Sequence, residues 1–195
     1  LSALRLQIQP HFLFNTLNTL SGLVSLNRRA DAEDMILNLS TFLRRTLALP
    51  AEQLVTLAQE LESQRSYLAI ERTRFEDRLQ VDFQIAEICF SALTPSLILQ
   101  PLVENAIRHG LSPSSSVVII TIGAEKAGDV LHLWVSNVGA EPGTPTPGFG
   151  IGLTNVRERL HVHFGDRASL TAAPLANGWK SSIEHPWLTE DTCAS

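Results

Sequence analysis

Up to about residue 75, apolar positions recur at helical spacing. Leu6, Leu13, Leu17, Leu20 and Val24 fall at alternating steps of a heptad, with Pro10 on the same stripe. Such a stripe suits a helix packed against other helices. Pro10 removes one backbone donor, frees the carbonyl of Leu6 and should bend the helix just before His11. This opening helix is expected to run to about Leu26. Asn27-Arg28-Arg29-Ala30 reads as a short polar turn, and Asp31 as the N-cap of a second helix with Glu33 and Asp34 in its first turn. Ile36, Leu39, Leu43 and Leu47 then line one face until Pro50 ends the helix. Two antiparallel helices cannot bury their apolar stripes alone, so the hairpin should dimerise into a four-helix bundle. A third helix opens with the capping-box pattern Thr56-Leu-Ala-Gln59 and carries Leu57, Leu61 and Leu68 on one face. It ends in a basic cluster, Arg72, Arg74 and Arg78, around Phe75.

After residue 78 the period changes from helical to alternating. Leu79-Gln-Val-Asp-Phe-Gln-Ile85 alternates apolar and polar residues, as a half-buried strand does. Val117–Ile122 and Val130–Val135 are two further strand-like runs separated by the turn Ala127-Gly128-Asp129. Arg167–Ala172 and Gly178–His185 form a final hairpin. Two helices are expected between the strands, roughly Pro95–His109 and Gly152–His163, the first with Thr94 as N-cap and Pro95 in its first turn. Strands and helices mixed this way make an α+β sandwich with helices on one face of a sheet. The stretch Glu141–Gly148, rich in Pro, Gly and Thr, reads as a mobile loop, and the chain after about Leu188 as a tail.

Composition narrows the function. The chain has 195 residues, ample for at least one buried core. A formal charge of −5 argues against a nucleic-acid binder, which carries a basic face. Cys89 and Cys193 are too few and too far apart for a disulfide scaffold or a zinc site, and a reducing cytoplasm fits best. No apolar run reaches the length of a membrane span. Beginning at Leu1 inside a helical pattern without a Met, the chain reads as a piece of something longer.

Three places carry candidate chemistry. His11 follows a proline inside an amphipathic helix, and its imidazole is a nucleophile near neutral pH. On the helix before Gly110, Leu102, Val103, Ala106 and Ile107 are expected to be buried, while Asn105, Arg108 and His109 share another face. A carboxamide oxygen suits Mg²⁺, and the two basic residues supply positive charge nearby. Taken alone, each is equally at home as an ordinary helix-face residue. Gly148-Phe-Gly-Ile-Gly-Leu153 precedes a helix, and its glycines let backbone amides approach a polyphosphate at the helix N-terminus. It follows a long loop rather than a strand, so a lid over ATP explains it better than a dinucleotide-binding turn. Asn137, at a strand end and followed by Gly139, should sit near the pocket floor and read a base edge.

Four motifs occur in order: Pro10-His11-Phe-Leu-Phe-Asn15; Tyr67-Leu-Ala-Ile-Glu-Arg72 with Arg74-Phe75; Gln100-Pro-Leu-Val-Glu-Asn-Ala-Ile-Arg-His-Gly110; and Gly150-Ile-Gly-Leu-Thr-Asn-Val-Arg-Glu-Arg-Leu160. Together they resemble the catalytic portion of a LytS-like sensor histidine kinase with a GHKL-type ATPase domain, over about residues 5 to 185. The resemblance implies a helical dimerisation and phosphotransfer region at 1–76, an α/β-sandwich ATP-binding domain at 77–188 and a tail at 189–195. It implies that His11 takes the γ-phosphoryl group of ATP and passes it to an aspartate of a response regulator. Asn105 would hold Mg²⁺, the glycines at 148, 150 and 152 with Leu153 would wrap the phosphates, and Arg108, His109, Asn137 and Gly139 would complete the nucleotide site. Asn15, four residues after His11 on the same face, would orient a water to hydrolyse the regulator's phosphoaspartate. Members of the family carry input segments N-terminal to this core, often membrane-embedded. A cytoplasmic domain of an inner-membrane-anchored homodimer is therefore the expectation.

Two positions depart from better-known histidine kinases. Phe12 stands where an acidic residue would take the proton of the acceptor, and Glu104 is the expected substitute. Asn137 stands where the wider superfamily has an aspartate, so ATP binding should be weak rather than absent, because a neutral acceptor makes a weaker hydrogen bond. One rival reading is a degenerate, catalytically silent dimer that signals by binding. Another is a GHKL ATPase of a different kind, which leaves Pro10-His11 and the hairpin unexplained.

Overall fold

The computed structural model describes residues 10–48, 53–111, 117–139 and 151–190. The Leu6 carbonyl, Pro50, the 141–148 loop, Gly148, Gly150 and Cys193 lie outside these residues. Helices α1 (Pro10–Ser25) and α2 (Arg29–Ala48) form the expected hairpin, with Asn27 at φ +59 in the turn. α2 starts at Arg29, three residues earlier than the N-cap reading of Asp31 allows. Asp31 lies inside the first turn and pairs with Arg28 at 2.7 Å, so its charge serves the helix N-terminus without its side chain capping it.

The apolar stripes divide in two. Phe12, Thr16 and Leu23 of α1 and Ala32, Met35, Phe42 and Thr46 of α2 are buried within the chain. Leu17, Val24, Ile36 and Leu47 are each more than half exposed, while Leu13, Leu20, Leu39 and Leu43 are half-buried. The heptad reading thus picked out a face that the chain itself does not cover.

Helix α3 (Leu57–Phe75) has the predicted capping box: the Gln59 amide donates to Thr56 Oγ1, and the Thr56 amide donates back to Gln59 Oε1. Leu57, Leu61 and Leu68 are buried as expected. α3 is preceded by a short strand, β1 (Leu54–Thr56), which pairs antiparallel with β3 (Leu93–Pro95). No sequence signal pointed to this pair.

The main sheet runs β2-β4-β5-β7-β6, from β2 (Leu79–Ile85), β4 (Val118–Ala127), β5 (Val130–Val138), β6 (Ser169–Leu175) and β7 (Gly178–Pro186). The β2–β4 pair is parallel and the others antiparallel. Helices α4 (Gln100–Gly110) and α5 (Ile151–Phe164) pack on one face, over Ile120, Ile122, Leu131, Leu133, Val135 and Ile183. This is the α+β sandwich read from the alternation. On the other face Trp134 lies over Gly123, its cross-strand partner; a Cβ there would come within 2.0 Å of the indole.

The helix expected at Pro95–His109 begins at Gln100 instead. Thr94 and Pro95 belong to β3, and Thr94 Oγ1 lies 3.2 Å from Nε2 of the buried His185. The proline in the first turn is Pro101, and no local side chain caps the helix. The capping group comes from α3: the carboxylate of Glu60 accepts from the Leu97 and Leu99 amides, each at 2.9 Å. Arg159 of α5 donates to the carbonyls of Ser96 and Leu97 from the other side. A cap supplied 39 residues away leaves no trace in local sequence. It also ties α3 firmly to the start of α4, where the candidate site begins.

Candidate functional site

Three aromatic rings fix the position of His11. Phe12 packs against Tyr67 with ring centroids 5.0 Å apart and against Phe42 at 5.5 Å, and Phe42 meets Tyr67 at 5.6 Å. Contacts of this kind are worth about 0.5–1.5 kcal/mol beyond area burial. The residue after the histidine is therefore an anchor that clamps α1 onto α2 and α3. His11 itself is exposed, and the carboxamide nitrogen of Asn15 lies 3.1 Å from its Nδ1 and 3.3 Å from its Nε2. The four-residue spacing does bring the two side chains together.

His11 faces a cleft of about 530 Å³ between α1, α3, α4 and α5. Glu104, Asn105 and Arg108 of α4 line it, with Gly152 and Leu153 from the first turn of α5. Five predicted site residues therefore share one cleft with His11. The amides in the N-terminal turn of α5 have no partner within the helix, and such a turn is the usual seat of a phosphate. Gly152 is constrained by packing as well, since a Cβ there would stand 3.3 Å from that of Pro101.

Within the cleft, Arg108 Nη2 donates to Asn105 Oδ1 at 2.7 Å and lies 3.3 Å from Nε2 of His109. Burial, and then the neighbouring Arg108, push the His109 pKa down. His109 is not among the cleft-lining residues, although it follows Asn105 by one turn. Glu104 Oε1 accepts from Gln100 Nε2 at 2.9 Å.

Asn137 is buried under the end of α4, and neither it nor Gly139 is among the residues that line the cleft. Its Nδ2 donates to the Ala106 carbonyl at 2.8 Å, while its Oδ1 is buried and has no hydrogen-bond partner among the described residues. Gly110 lets α4 end this close, because a Cβ there would stand 2.8 Å from Val118 Cγ1 and 3.2 Å from Asn137 Nδ2. Gly139 has φ +100, and a Cβ on it would meet the Val117 carbonyl at 2.2 Å. A buried acceptor without a donor is costly, about 1–3 kcal/mol, and such a group is a natural place for an amino group of a ligand.

Tyr67, Glu71 and Arg74 belong to the second of the four motifs, which assigns them no role, and they line the same cleft from α3. Glu71 is buried, its Oε1 accepts from Arg74 Nη1 at 3.0 Å, and Arg74 also stacks over Phe75 at 4.2 Å. Burial pushes the Glu71 carboxyl up to about 7 against the pull of Arg74, and Glu104 adds to the rise. The signal was present: Tyr67, Glu71 and Arg74 recur at helical spacing, and an ionisable group on the apolar face of a helix marks a site. The arginines had been grouped as a basic cluster instead.

A family profile described as Histidine kinase matches residues 1–79. The chain is 36% identical over 188 residues to the sensor histidine kinase BtsS of Escherichia coli K12, across 96% of this chain and 33% of BtsS. It is 34% identical over 199 residues to the sensor protein LytS of Staphylococcus saprophyticus, across 96% of this chain and 34% of LytS. The chain spans about a third of the length of these curated relatives. Its fold is similar to full-length ShkA, solved in complex with AMPPNP, with a TM-score of 0.52 at 16% identity over 87% of this chain and 39% of ShkA.

Proposed function

We propose that this chain, which belongs to the histidine kinase family, transfers the γ-phosphoryl group of ATP to its own His11 and then passes it to an aspartate of a response regulator. The observation that carries the reading is the shared cleft. His11, Asn105, Arg108 and the first turn of α5 line a single cavity of one chain. An acceptor and a phosphate seat held this way turn a bimolecular transfer into a local one. The reaction asks little covalent chemistry of the protein beyond positioning and charge neutralisation.

The residues fit a nucleotide. The amides of Gly152 and Leu153 suit phosphate oxygens, and Arg108 supplies a cation; Asn137, which does not line the cleft, is assigned to the adenine amino group from the motif, with its unpartnered Oδ1 as the acceptor. Gly148 and Gly150 are assigned to the phosphate seat from the motif. Among the described residues no group of three His, Cys, Asp or Glu could hold a metal ion. Asn105, whose Oδ1 accepts from Arg108 here, is the residue that would hold Mg²⁺, and the ion would neutralise charge on the transferring group. ShkA, whose fold is similar, is bound to the ATP analogue AMPPNP.

Three further assignments rest on this reading. The exposed apolar stripe Leu17, Val24, Ile36 and Leu47 is the seam on which a second copy of the hairpin closes a four-helix bundle. Asn15 steadies the His11 ring and later orients a water on the regulator's phosphoaspartate; unchanged dephosphorylation kinetics in Asn15→Ala would overturn that second role. Residues 1–76, the hairpin with α3, are the phosphoacceptor region, residues 77–188 the ATP-binding region and 189–195 a tail. No helix among the described residues is long and apolar enough to cross a membrane, and an input segment preceding this core, membrane-anchored or not, is part of the proposal.

Autophosphorylation with γ-labelled ATP and Mg²⁺ tests the reading. An acid-labile, base-stable label on the native chain is expected, absent from His11→Ala and from Asn105→Ala. Nucleotide binding without any label on the native chain would favour the silent signalling dimer.

A further inference from the structure

The phosphoacceptor has no acidic residue beside it. Phe12 occupies that position and is spent on the aromatic clamp. A neutral imidazole that attacks phosphorus must still lose the proton on its other nitrogen. Two carboxylates line the cleft with His11, Glu71 and Glu104. They are not equivalent. Glu104 is engaged with Gln100 and adjoins Asn105, the proposed cation ligand. Glu71 is one turn beyond Tyr67, the residue whose ring touches Phe12, so Glu71 and His11 both flank the same aromatic contact. Its Oε1 is held by Arg74, whereas its Oε2 is buried with no hydrogen-bond partner among the described residues.

We propose that Glu71, rather than Glu104, is the proton acceptor for His11, with Oε2 as the receiving atom, directly or through one water. The proposal rests on the kinase reading above. In the step, one imidazole nitrogen forms the bond to the γ-phosphorus. The bond from that phosphorus to the β,γ-bridging oxygen breaks, and its electron pair leaves with ADP. The proton on the other imidazole nitrogen passes to Glu71 Oε2. Arg74 holds the carboxylate by its other oxygen, which leaves Oε2 without a hydrogen-bond partner among the described residues. The charged and titratable groups facing it are Arg74 and Tyr67 on its own helix, His11 on α1, and Glu104 and Arg108 on α4. Burial brings its basicity close to that of an imidazole, the match that proton transfer favours.

The test compares native chain, Glu71→Gln, Glu104→Gln and Arg74→Gln by initial autophosphorylation rate across pH and by binding of a fluorescent ATP analogue. The expected result is that Glu71→Gln binds nucleotide within about twofold of native yet loses about a hundredfold or more in rate. In the native chain Glu71 must be deprotonated to receive the proton. Its titration should therefore contribute to the acid limb of log rate against pH in the native chain, and that contribution should be missing, with a shallower limb, in Glu71→Gln. In Arg74→Gln the limb moves to higher pH, because the cation that holds Glu71 down is gone. A packing defect alone would change neither slope nor position. Label on the native chain with an equal rate and unchanged limb in Glu71→Gln overturns the proposal alone. No label on the native chain overturns the kinase reading and this proposal with it.

Discussion

The two ends of α3 each bury a glutamate, and they use it differently. At the N-terminal end, Glu60 accepts from two backbone amides and lies near Arg159, so both its oxygens are engaged. At the C-terminal end, Glu71 has one oxygen on Arg74 and the other without a partner. Burial pushes both carboxyls up to about 7. A raised pKa therefore does not separate a structural group from a reactive one here. The hydrogen-bond inventory does: a satisfied carboxylate builds the frame, and an unsatisfied one on a residue lining a cleft is available for chemistry.

The contrast can be broken most severely at the aromatic clamp beside Glu71. Phe12→Ala is expected to cost about 3–5 kcal/mol in urea unfolding and to abolish autophosphorylation, because α1 loses its fixed place over the cleft. Next in size, Glu60→Ala leaves the Leu97 and Leu99 amides buried and unpaired and should cost about 3 kcal/mol. By contrast, Glu71→Gln should change stability by less than about 1 kcal/mol, because it discards a desolvated acid that holds few partners. Equal losses in the two variants would erase the distinction between the ends.

The smallest effect sharpens it. Both folded-state carboxyls lie near 7, above the ordinary value of 4.5. Between those values the folded chain holds protons that the unfolded chain has released, so stability is greatest below about 4.5 and falls as pH rises towards 7. Glu71→Gln removes one of the two contributions. Its urea midpoints measured from pH 5 to 8 should slope less than those of the native chain.

Local patterns made much of the fold legible. The alternation of residues 79–85 and 130–135 matches β2 and β5, and Thr56 with Gln59 marks the start of α3. What escaped was non-local. β1 and β3 are three-residue strands that exist only through each other, and α4 starts at Gln100 because Glu60 of α3 receives its first amides. The site divides the same way. His11, Asn105 and Gly152 stood out by their motifs, whereas Glu71 was quoted within a motif and given no role. Only packing tells which side of α3 meets α1 and α4.

The account's central claim is that His11 and the cleft of the same chain make one site, and mixed dimers test it most directly. A His11→Ala chain, competent for nucleotide, is co-expressed with an Asn105→Ala chain of distinguishable mass that keeps the acceptor, and the purified mixed dimer is given γ-labelled ATP. The account predicts no label above that of the two parent variants, because neither chain has both halves. Label on His11 of the Asn105→Ala chain would contradict it, since the phosphoryl group would then have come from the cleft of the partner.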